Sequence, residues 1–231
     1  LLGKKSMKLT VKNTLVISGI VLGSLMGTSA YAANDLLKSD KLDSGFFSDI
    51  SLLQPINSPQ GSKAFRYTST KFDPSNYQAV MIDSVLINQA GVSDKVTADT
   101  MEKTRATLED GIKQKIGKVI ALTNKAGPGT LKVNVAISGA DVAGEGFKPR
   151  NILPVSAVLK LASKAAGKDK KTAMLLIESK VTDSVSGELL KATMLTISSD
   201  SFRDQADADQ ELTGLAKKVV DMAMKNISLQ P

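Results

Sequence analysis

The sequence contains no cysteine, no histidine and no tryptophan, and aromatic residues make up only 4% of its 231 residues. Without cysteine there is no disulfide to stabilise the chain in an oxidising compartment, so a folded domain must rely on its hydrophobic core. The lack of histidine and cysteine excludes Ser-His-Asp and Cys-His catalysis, most zinc sites and haem ligation through histidine. The low aromatic content argues against stacking platforms for nucleic acid bases.

The amino-terminal segment has the pattern of a cleavable export signal. Residues 14–26 form an apolar run that is interrupted only by serine and glycine, and Lys8 and Lys12 precede it. The run has the length of a signal-peptide core and is short for a membrane span, which needs ~20 apolar residues. Met7 is the first initiator that fits this arrangement, so we expect neither the residues before it nor the signal to belong to the folded domain.

The expected cleavage site follows the apolar run in the stretch "SAYAAND". Signal peptidases recognise small residues at two positions that are separated by one residue. The residues that form this pattern are Ala30, Ala32 and Ala33, with cleavage after Ala32. A retained anchor is the alternative, but it would not require small residues at this spacing. Cleavage places the mature protein in the periplasm and leaves further secretion open.

Export changes the charge balance. The full chain has 30 basic and 23 acidic residues, a net charge of +7. Four lysines and no acid precede the expected cleavage site, so the mature chain keeps 26 basic against 23 acidic residues, a net charge of +3. This balance gives little support to nucleic acid as a partner. The 199 mature residues are enough for one domain with a sizeable core.

Residues 33–75 are polar and rich in chain breakers, which predicts an extended arm. Two apolar pairs interrupt the polar sequence, and we expect them to pack onto the following domain because exposed pairs of this size are a liability. The alternative is that they dock onto a partner. The pairs are Phe46 with Phe47 and Leu52 with Leu53.

The next part of the chain shows the alternating signals of an α+β domain. In residues 76–88, apolar side chains occur at both odd and even positions, so both faces of a strand formed here would be apolar. This predicts a central strand that is covered on both faces. Apolar residues spaced by seven, four and four from Met101 to Ile116 predict an amphipathic helix. Residues 131–140 alternate apolar and polar side chains, as a half-buried strand does.

The remaining signals complete the predicted fold. A short strand is expected within residues 118–123, a helix at 155–167, and a last helix at 204–227. Two apolar segments, residues 171–183 and 188–199, are joined by "SVSG" and give the clearest hairpin signal. The order predicts an α+β fold: a mixed or antiparallel sheet of about five strands with two to three packed helices, preceded by an extended N-terminal arm. The predicted divisions are 1–32 for the signal, 33–75 for the arm and 76–228 for a single domain.

Three motifs resemble ligand sites but fit turns and helix ends better. "AGPGT" at residues 126–130 precedes a strand, whereas a phosphate-binding P-loop follows one and ends in Gly-Lys-Ser or Gly-Lys-Thr. The carboxylates of residues 183–188 suit a hairpin turn better than a cation site. The acids of residues 204–211 lack the glycine and spacing of an EF-hand and fit the start of a helix. We therefore expect no cofactor and no metal.

Two basic segments are candidate binding surfaces. The first, "GEGFKPR", would be an anion-binding loop, and the second, "KLASKAAGKDKK", would contact anionic lipid or an acidic partner. A surface loop and a solvated turn are the respective alternatives. The basic residues concerned are Lys148, Arg150, Lys160, Lys164, Lys168, Lys170 and Lys171.

Four short stretches and one tyrosine, taken together, resemble one bacterial family. They are "SGFFSDISLL" from Ser44, Tyr67, "YQAVMIDSV" from Tyr77, "GPGTLKV" from Gly127 and "DSVSGELL" from Asp183. In order and spacing they resemble the domain-of-unknown-function family 3313, whose members are envelope proteins and mostly lipoproteins. The resemblance implies a cell-envelope protein without known catalytic residues. Since the sequence lacks the acylated cysteine of those lipoproteins, we expect a soluble periplasmic form.

Two functions are compatible with these observations. The first is a non-enzymatic periplasmic or envelope protein, a protein-binding or assembly module, which predicts an extended contact surface and no deep polar pocket. The second is a small hydrolase or a small-ligand-binding protein. A hydrolase would use Asp83 or Glu178 as a base and would hold that carboxylate in a cleft without a charged partner. Nothing in the spacing favours the hydrolase, and the sequence does not determine the oligomeric state.

Overall fold

The computed structural model describes residues 45–58, 62–143, 172–199 and 205–225, which form an eight-stranded mixed sheet and two helices. The α+β class expected from the sequence is therefore confirmed. The helices are α1 (Ala98–Ile116) and α2 (Gln205–Lys225). The strands are β1 (Gln54–Ile56), β2 (Ser62–Thr68), β3 (Ala79–Ile82), β4 (Leu86–Ile87), β5 (Ala121–Leu122), β6 (Thr130–Ala143), β7 (Thr172–Asp183) and β8 (Leu189–Ser198).

The strands lie in the order β1-β2-β8-β7-β6-β3-β5, and β4 also pairs with β6. Neighbours from β1 to β6 are antiparallel, whereas β3 and β4 run parallel to β6 and β5 runs parallel to β3. Parallel neighbours need a crossover connection, and α1 supplies it between β4 and β5. The antiparallel half is built on the predicted β7–β8 hairpin.

Asp183 and Gly187 form the turn of the β7–β8 hairpin, as their sequence pattern predicts. The carboxylate of Asp183 accepts hydrogen bonds from the backbone N–H groups of Val185 and Ser186, and these bonds hold the pKa of Asp183 below its usual value. Gly187 has a φ of 74°, which a side chain would disfavour. This carboxylate therefore belongs to a turn, as the sequence favours over a cation site.

Helix α1 contains the whole predicted apolar stripe and begins three residues before it, at Ala98. The Thr97 hydroxyl oxygen accepts a hydrogen bond from the N–H of Thr100 at 3.1 Å, which caps the first turn. The apolar stripe is buried against the sheet, with Met101, Leu108 and Ile116 nearly inaccessible. Beside this stripe, ion pairs connect residues three and four positions apart, among them Arg105 with Glu102 and Lys113 with Glu109.

The expected strand count of about five is too low. Strands β1 and β2 lie within the segment that the sequence pattern assigns to the arm. Strand β1 has only three residues and contains a proline, and β2 places Arg66 on the same side as Ala64, so neither segment has a clean alternation. Their pairing is long-range: every residue of β2 pairs with β8. Such strands depend on a partner that local patterns do not reveal.

Residues 76–88 also differ from the expected single central strand. They form the short strands β3 and β4, which lie toward the β5 edge and are separated by residues 83–85. Backbone groups between the two strands form hydrogen bonds with neighbouring elements. The N–H of Asp83 donates to the carbonyl of Val133, and the N–H of Val85 donates to the Glu109 carboxylate at 3.0 Å. The helix predicted at residues 155–167 lies outside the described residues.

Different segments pack on the two faces of the sheet. Both helices pack on one face and bury the larger apolar cluster. On the other face, Phe47 and Leu53 are buried in a smaller cluster that includes Phe65 and Met194. Phe46 is partly buried there, whereas Leu52 is 40% exposed. Three of the four apolar arm residues thus pack onto the sheet, and Leu52 does not fit that expectation.

Helices α1 and α2 lie side by side and run in the same direction. Near their N-termini the Thr100 hydroxyl donates to the Asp209 carboxylate, and near their C-termini Lys115 pairs with Asp221 at 2.9 Å. Between these contacts Gly111 lies against Val220. In the part of the chain that the structure describes, no helix is both long and apolar enough to cross a bilayer.

Candidate ligand-binding cavity

A cavity of about 80 Å³ lies between the C-terminal halves of α1 and α2 and the middle of the sheet. It is partly open to solvent, and of the residues that line it only Ser179 and Thr193 are polar. Its walls consist of the apolar side chains of both helices: Leu108, Ile112 and Ile116 from α1, and Val219, Val220 and Met222 from α2. An apolar space of this kind favours hydrocarbon over water.

The floor of the cavity becomes more polar across the sheet. Val135 of β6 is paired with Ser179 of β7, Ser179 with Thr193 of β8, and Thr193 with Arg66 of β2. Residues directly opposite each other on neighbouring strands project to the same face. The row therefore leads from an apolar side chain through two hydroxyl-bearing residues to a guanidinium at one end.

Lys191 lies beside the same end. It is two residues from Thr193 on β8 and is paired with Thr68 and Val181, so it projects to the helix face as Arg66 does. Lys191 is only 6% exposed, and its Nζ lies 4.8 Å from the centroid of the Phe72 ring. This distance is typical of a cation–π contact.

Burial lowers the pKa of both cations. Arg66 has its Nε and Nη2 atoms buried, and neither has a hydrogen-bond partner among the described residues. Desolvation lowers the pKa of Arg66 to about 10. Desolvation, together with the charge of Arg66, lowers the pKa of Lys191 to about 8. Two neighbouring cations are thus held where water solvates them poorly.

The site residues predicted from the sequence do not meet at this cavity. The basic loop and lysine residues, Lys148, Arg150, Lys160, Lys164, Lys168, Lys170 and Lys171, lie outside the described residues, as do Ala30, Ala32 and Ala33 at the expected cleavage site. Phe46, Phe47 and Leu53 pack on the opposite face of the sheet.

The two carboxylates considered as bases are also elsewhere. Asp83 accepts a hydrogen bond from the side-chain amide of Asn134 at 2.6 Å and pairs with Lys132 at 3.1 Å. Glu178 is fully buried and accepts a hydrogen bond from the Ser138 hydroxyl. Neither residue lines the cavity. Within the described ranges, no group of three or more acids is placed to hold a metal ion.

The motifs considered in the sequence do not include the residues at the polar end, although β8 contains a signal for one of them, Lys191. Lys191 and Thr193 occupy the same alternation as Leu195 and Ile197, so they belong to the core face of a strand whose other core-facing residues are apolar. A lysine at such a position is exceptional because charged side chains are rarely buried. Arg66 had no comparable signal, since β2 itself was not expected.

The chain is similar to an uncharacterized curated relative and, more distantly, to several solved structures. It is 25% identical over 161 residues to the uncharacterized lipoprotein YdcL of Escherichia coli K12, an alignment covering 68% of this chain and 70% of the relative. Among solved structures, it is similar to the PelC dodecamer protein of Paraburkholderia phytofirmans, with a TM-score of 0.38 and 10% identity, covering 69% of this chain and 96% of the other. A minor lipoprotein of Acinetobacter baumannii matches with a TM-score of 0.30 and 8% identity, covering 65% and 94% of the two chains.

The family comparison is more specific. The model of the family described as protein of unknown function (DUF3313) matches residues 42–221, which include every described strand and most of both helices. The family that the sequence motifs resemble is therefore confirmed, and its lipoprotein relative indicates an envelope location. This chain belongs to the DUF3313 family of proteins of unknown function.

Proposed function

We propose that this protein is an exported, non-enzymatic binding protein of the cell envelope whose ligand inserts an apolar chain between α1, α2 and the sheet. The observation that supports this most directly is the apolar cavity with its polar end. Small-molecule sites are usually concave and apolar with a few placed polar groups. An engineered apolar cavity of ~150 Å³ binds benzene, so about 80 Å³ suits the end of an alkyl chain.

Export through a cleavable signal is part of this proposal. The pattern of residues 14–32 and the lipoprotein name of the relative at 25% identity both support an envelope location. Intact-mass measurement on protein purified from the periplasm tests it. We expect a mature chain that begins at Ala33, and a mass that retains the apolar run would contradict cleavage.

The non-enzymatic role is supported by the surroundings of the two candidate bases. A carboxylate that acts as a base needs access to substrate. Asp83 is engaged by Asn134 and Lys132, and Glu178 is buried within the sheet without lining the cavity. These positions favour binding over hydrolysis.

Titration with 1-decanol tests the proposed ligand class, because this alcohol supplies an alkyl chain without charge. We expect saturable binding of decanol to the full chain by isothermal titration, with shifts of the methyl NMR signals of Val135 and Val219 in the cavity wall. Ala223→Leu adds three carbons to the α2 side of the cavity and should weaken binding about tenfold or more.

The control is Ala106→Leu, which makes the same change on α1 at a residue that does not line the cavity. Thermal unfolding of both variants confirms that each is folded before binding is compared. Decanol binding that is absent, or equally strong in wild type and the Ala223→Leu variant, would contradict a ligand in this cavity.

A protein-binding or assembly module is the second candidate function, and one observation favours it. Leu86 of β4 and Leu122 of β5 are 57% and 47% exposed, and both strands lie toward the same edge of the sheet. Exposed apolar side chains beside a strand edge suit strand addition by a partner. Crosslinking in cells should then capture one envelope protein with wild type and lose it with Leu86→Asn and Leu122→Asn together.

A further inference from the structure

We propose that Arg66 and Lys191 bind an oxyanion headgroup, so that the ligand of the cavity is an anionic amphiphile. This inference rests on the proposed function, because it assigns the headgroup of a ligand whose chain lies in the cavity. Carboxylates and phosphate monoesters share the required chemistry: a negatively charged group of oxygens attached to an apolar chain.

The geometry of the sheet brings the cations next to the cavity floor. Thr193, which lines the cavity, is paired directly with Arg66 across the β2–β8 ladder. Neighbouring strands are ~4.8 Å apart, and residues two apart on one strand are ~7 Å apart. The Cα atoms of Arg66 and Lys191 therefore lie about 5 Å and about 7 Å from that of Thr193. A ligand whose chain lies over Val135 would place its headgroup at this end.

The buried guanidinium of Arg66 favours an anionic ligand. Its Nε and Nη2 groups are buried without a hydrogen-bond partner among the described residues. A buried donor without a partner is unfavourable, whereas the planar fork of a guanidinium matches two oxygens of a carboxylate or phosphate. An oxyanion would satisfy these donors, and a neutral alcohol would satisfy them only in part.

The neighbouring charge of Lys191 points to the same ligand. The two cations face the same side of the sheet, and Arg66 disfavours the charged form of Lys191. An anion bound to Arg66 would reduce this repulsion. Thr193 lies directly opposite Arg66, and Ser179 lies one strand further along the cavity floor, so their hydroxyls offer further donors to the ligand.

Several acids of the packed helices and of the hairpin have partners away from Arg66. On α1, Glu109 pairs with Arg105 and Lys113. The acids of α2 with described contacts, Asp209 and Asp221, bind Thr100 and Lys115, and Asp183 is bonded within its turn. These carboxylates already have partners of their own, which supports an external anion as the partner of Arg66.

The test compares four ligands with the same alkyl chain, each below its micelle concentration: 1-decanol, decanoate, decyl phosphate and decyltrimethylammonium. Isothermal titration with the full chain should show at least one anion binding about tenfold or more tightly than decanol. Decyltrimethylammonium should bind more weakly than decanol. Preference between decanoate and decyl phosphate then distinguishes a carboxylate from a phosphate headgroup.

Variants assign the preference to the proposed residues. Arg66→Gln should weaken binding of the preferred anion about tenfold and change decanol affinity less than about twofold, and Arg66→Lys should restore part of the loss. Lys132→Gln, which removes a cation from the opposite face, should leave all four affinities unchanged. Thermal unfolding shows whether each variant is folded.

The outcomes separate this inference from the proposed function. If decanol binds and neither anion binds more tightly, the headgroup inference is wrong and the apolar cavity keeps its role. The headgroup inference is also wrong if the preference for an anion persists in the Arg66→Gln and Lys191→Gln variants. If none of the four ligands binds, the proposed function fails, and the headgroup inference fails with it.

Discussion

Lys191 occupies a strand position that normally belongs to an apolar side chain, and its charge is costly there. Desolvation and the nearby charge of Arg66 lower its pKa to about 8 from 10.5. Between about pH 8 and pH 10.5 the folded protein therefore favours the neutral form of this lysine, whereas the unfolded chain keeps it charged. A buried cation that lowers stability is the kind of residue that function retains.

The pH dependence of the free energy of unfolding tests whether burial lowers the pKa of Lys191. Between about pH 8 and pH 10.5 the unfolded chain holds more protons on this lysine than the folded chain, so its contribution to the free energy of unfolding increases with pH. Below about pH 8 the lysine is charged in both states and the penalty is constant. Lys191→Met should be more stable than wild type at pH 7, with a difference of ~3 kcal/mol at most that shrinks toward pH 10.5.

Urea unfolding at pH 7, 8, 9 and 10 measures that difference, and Lys132→Met is the matched control because its lysine is half-exposed on the opposite face. A difference between wild type and the Lys191→Met variant that does not change with pH would contradict a perturbed lysine.

At the scale of elements, the helix pair includes one contact that leaves no room for an added methyl group. Gly111 lies where α1 meets α2, and a Cβ added there would lie 2.9 Å from Cγ2 and 3.3 Å from Cγ1 of Val220. Val220 is β-branched and strongly restricted in a helix, so it cannot easily rotate away. It also lines the cavity, which means that the spacing of the helices sets the width of the proposed site.

Two glycine substitutions should therefore have opposite effects. Gly214→Ala in α2 meets no atom within 4 Å and should stabilise the protein by about 1 kcal/mol through helix propensity. Gly111→Ala gains the same propensity but is overpacked against Val220, so we expect a net loss of about 1 kcal/mol. Urea unfolding of both variants measures the difference. Equal stabilisation by the two alanines would show that the helices adjust freely.

The elements differ in how far the sequence predicts them. Helix α1 and the β7–β8 hairpin have local signals, since a cap such as Thr97 and a turn glycine such as Gly187 act on residues within a few positions. Strand β2 has none, because its stability comes from pairing with β8. The two cations beside the cavity differ in the same way. Lys191 can be recognised in the sequence as a lysine at a core position of β8, whereas Arg66 can be recognised only after β2 has been paired with β8.

At the scale of the whole molecule, the arm completes the fold. The sheet has helices on one face, and residues 46–53 cover part of the other by inserting Phe47 and Leu53. Without this cover, Leu176 and Met194 would be exposed on the second face. The arm is thus part of the folded body, although its polar composition resembles that of a linker.

Two adjacent leucines of the arm provide a matched comparison. Leu53 is 1% exposed, so Leu53→Ala should lower the free energy of unfolding by about 2–5 kcal/mol. Leu52 is 40% exposed, and Leu52→Ala should change it by less than about 0.5 kcal/mol. Denaturant unfolding with one probe on α1 and one on the arm measures both. Similar small effects at the two positions would show that the arm is not held on the sheet.

The sequence by itself determined what depends on neighbours along the chain: the export pattern, the family motifs, the periodicity of α1 and the hairpin that forms β7 and β8. These signals act over a few residues, so composition and spacing are enough to recognise them. Only the tertiary structure decided that Arg66 lies beside Thr193 and Lys191, because the register between β2 and β8 joins segments far apart in sequence. Alternation assigns a residue to a face, but it does not identify the strand that will lie next to it.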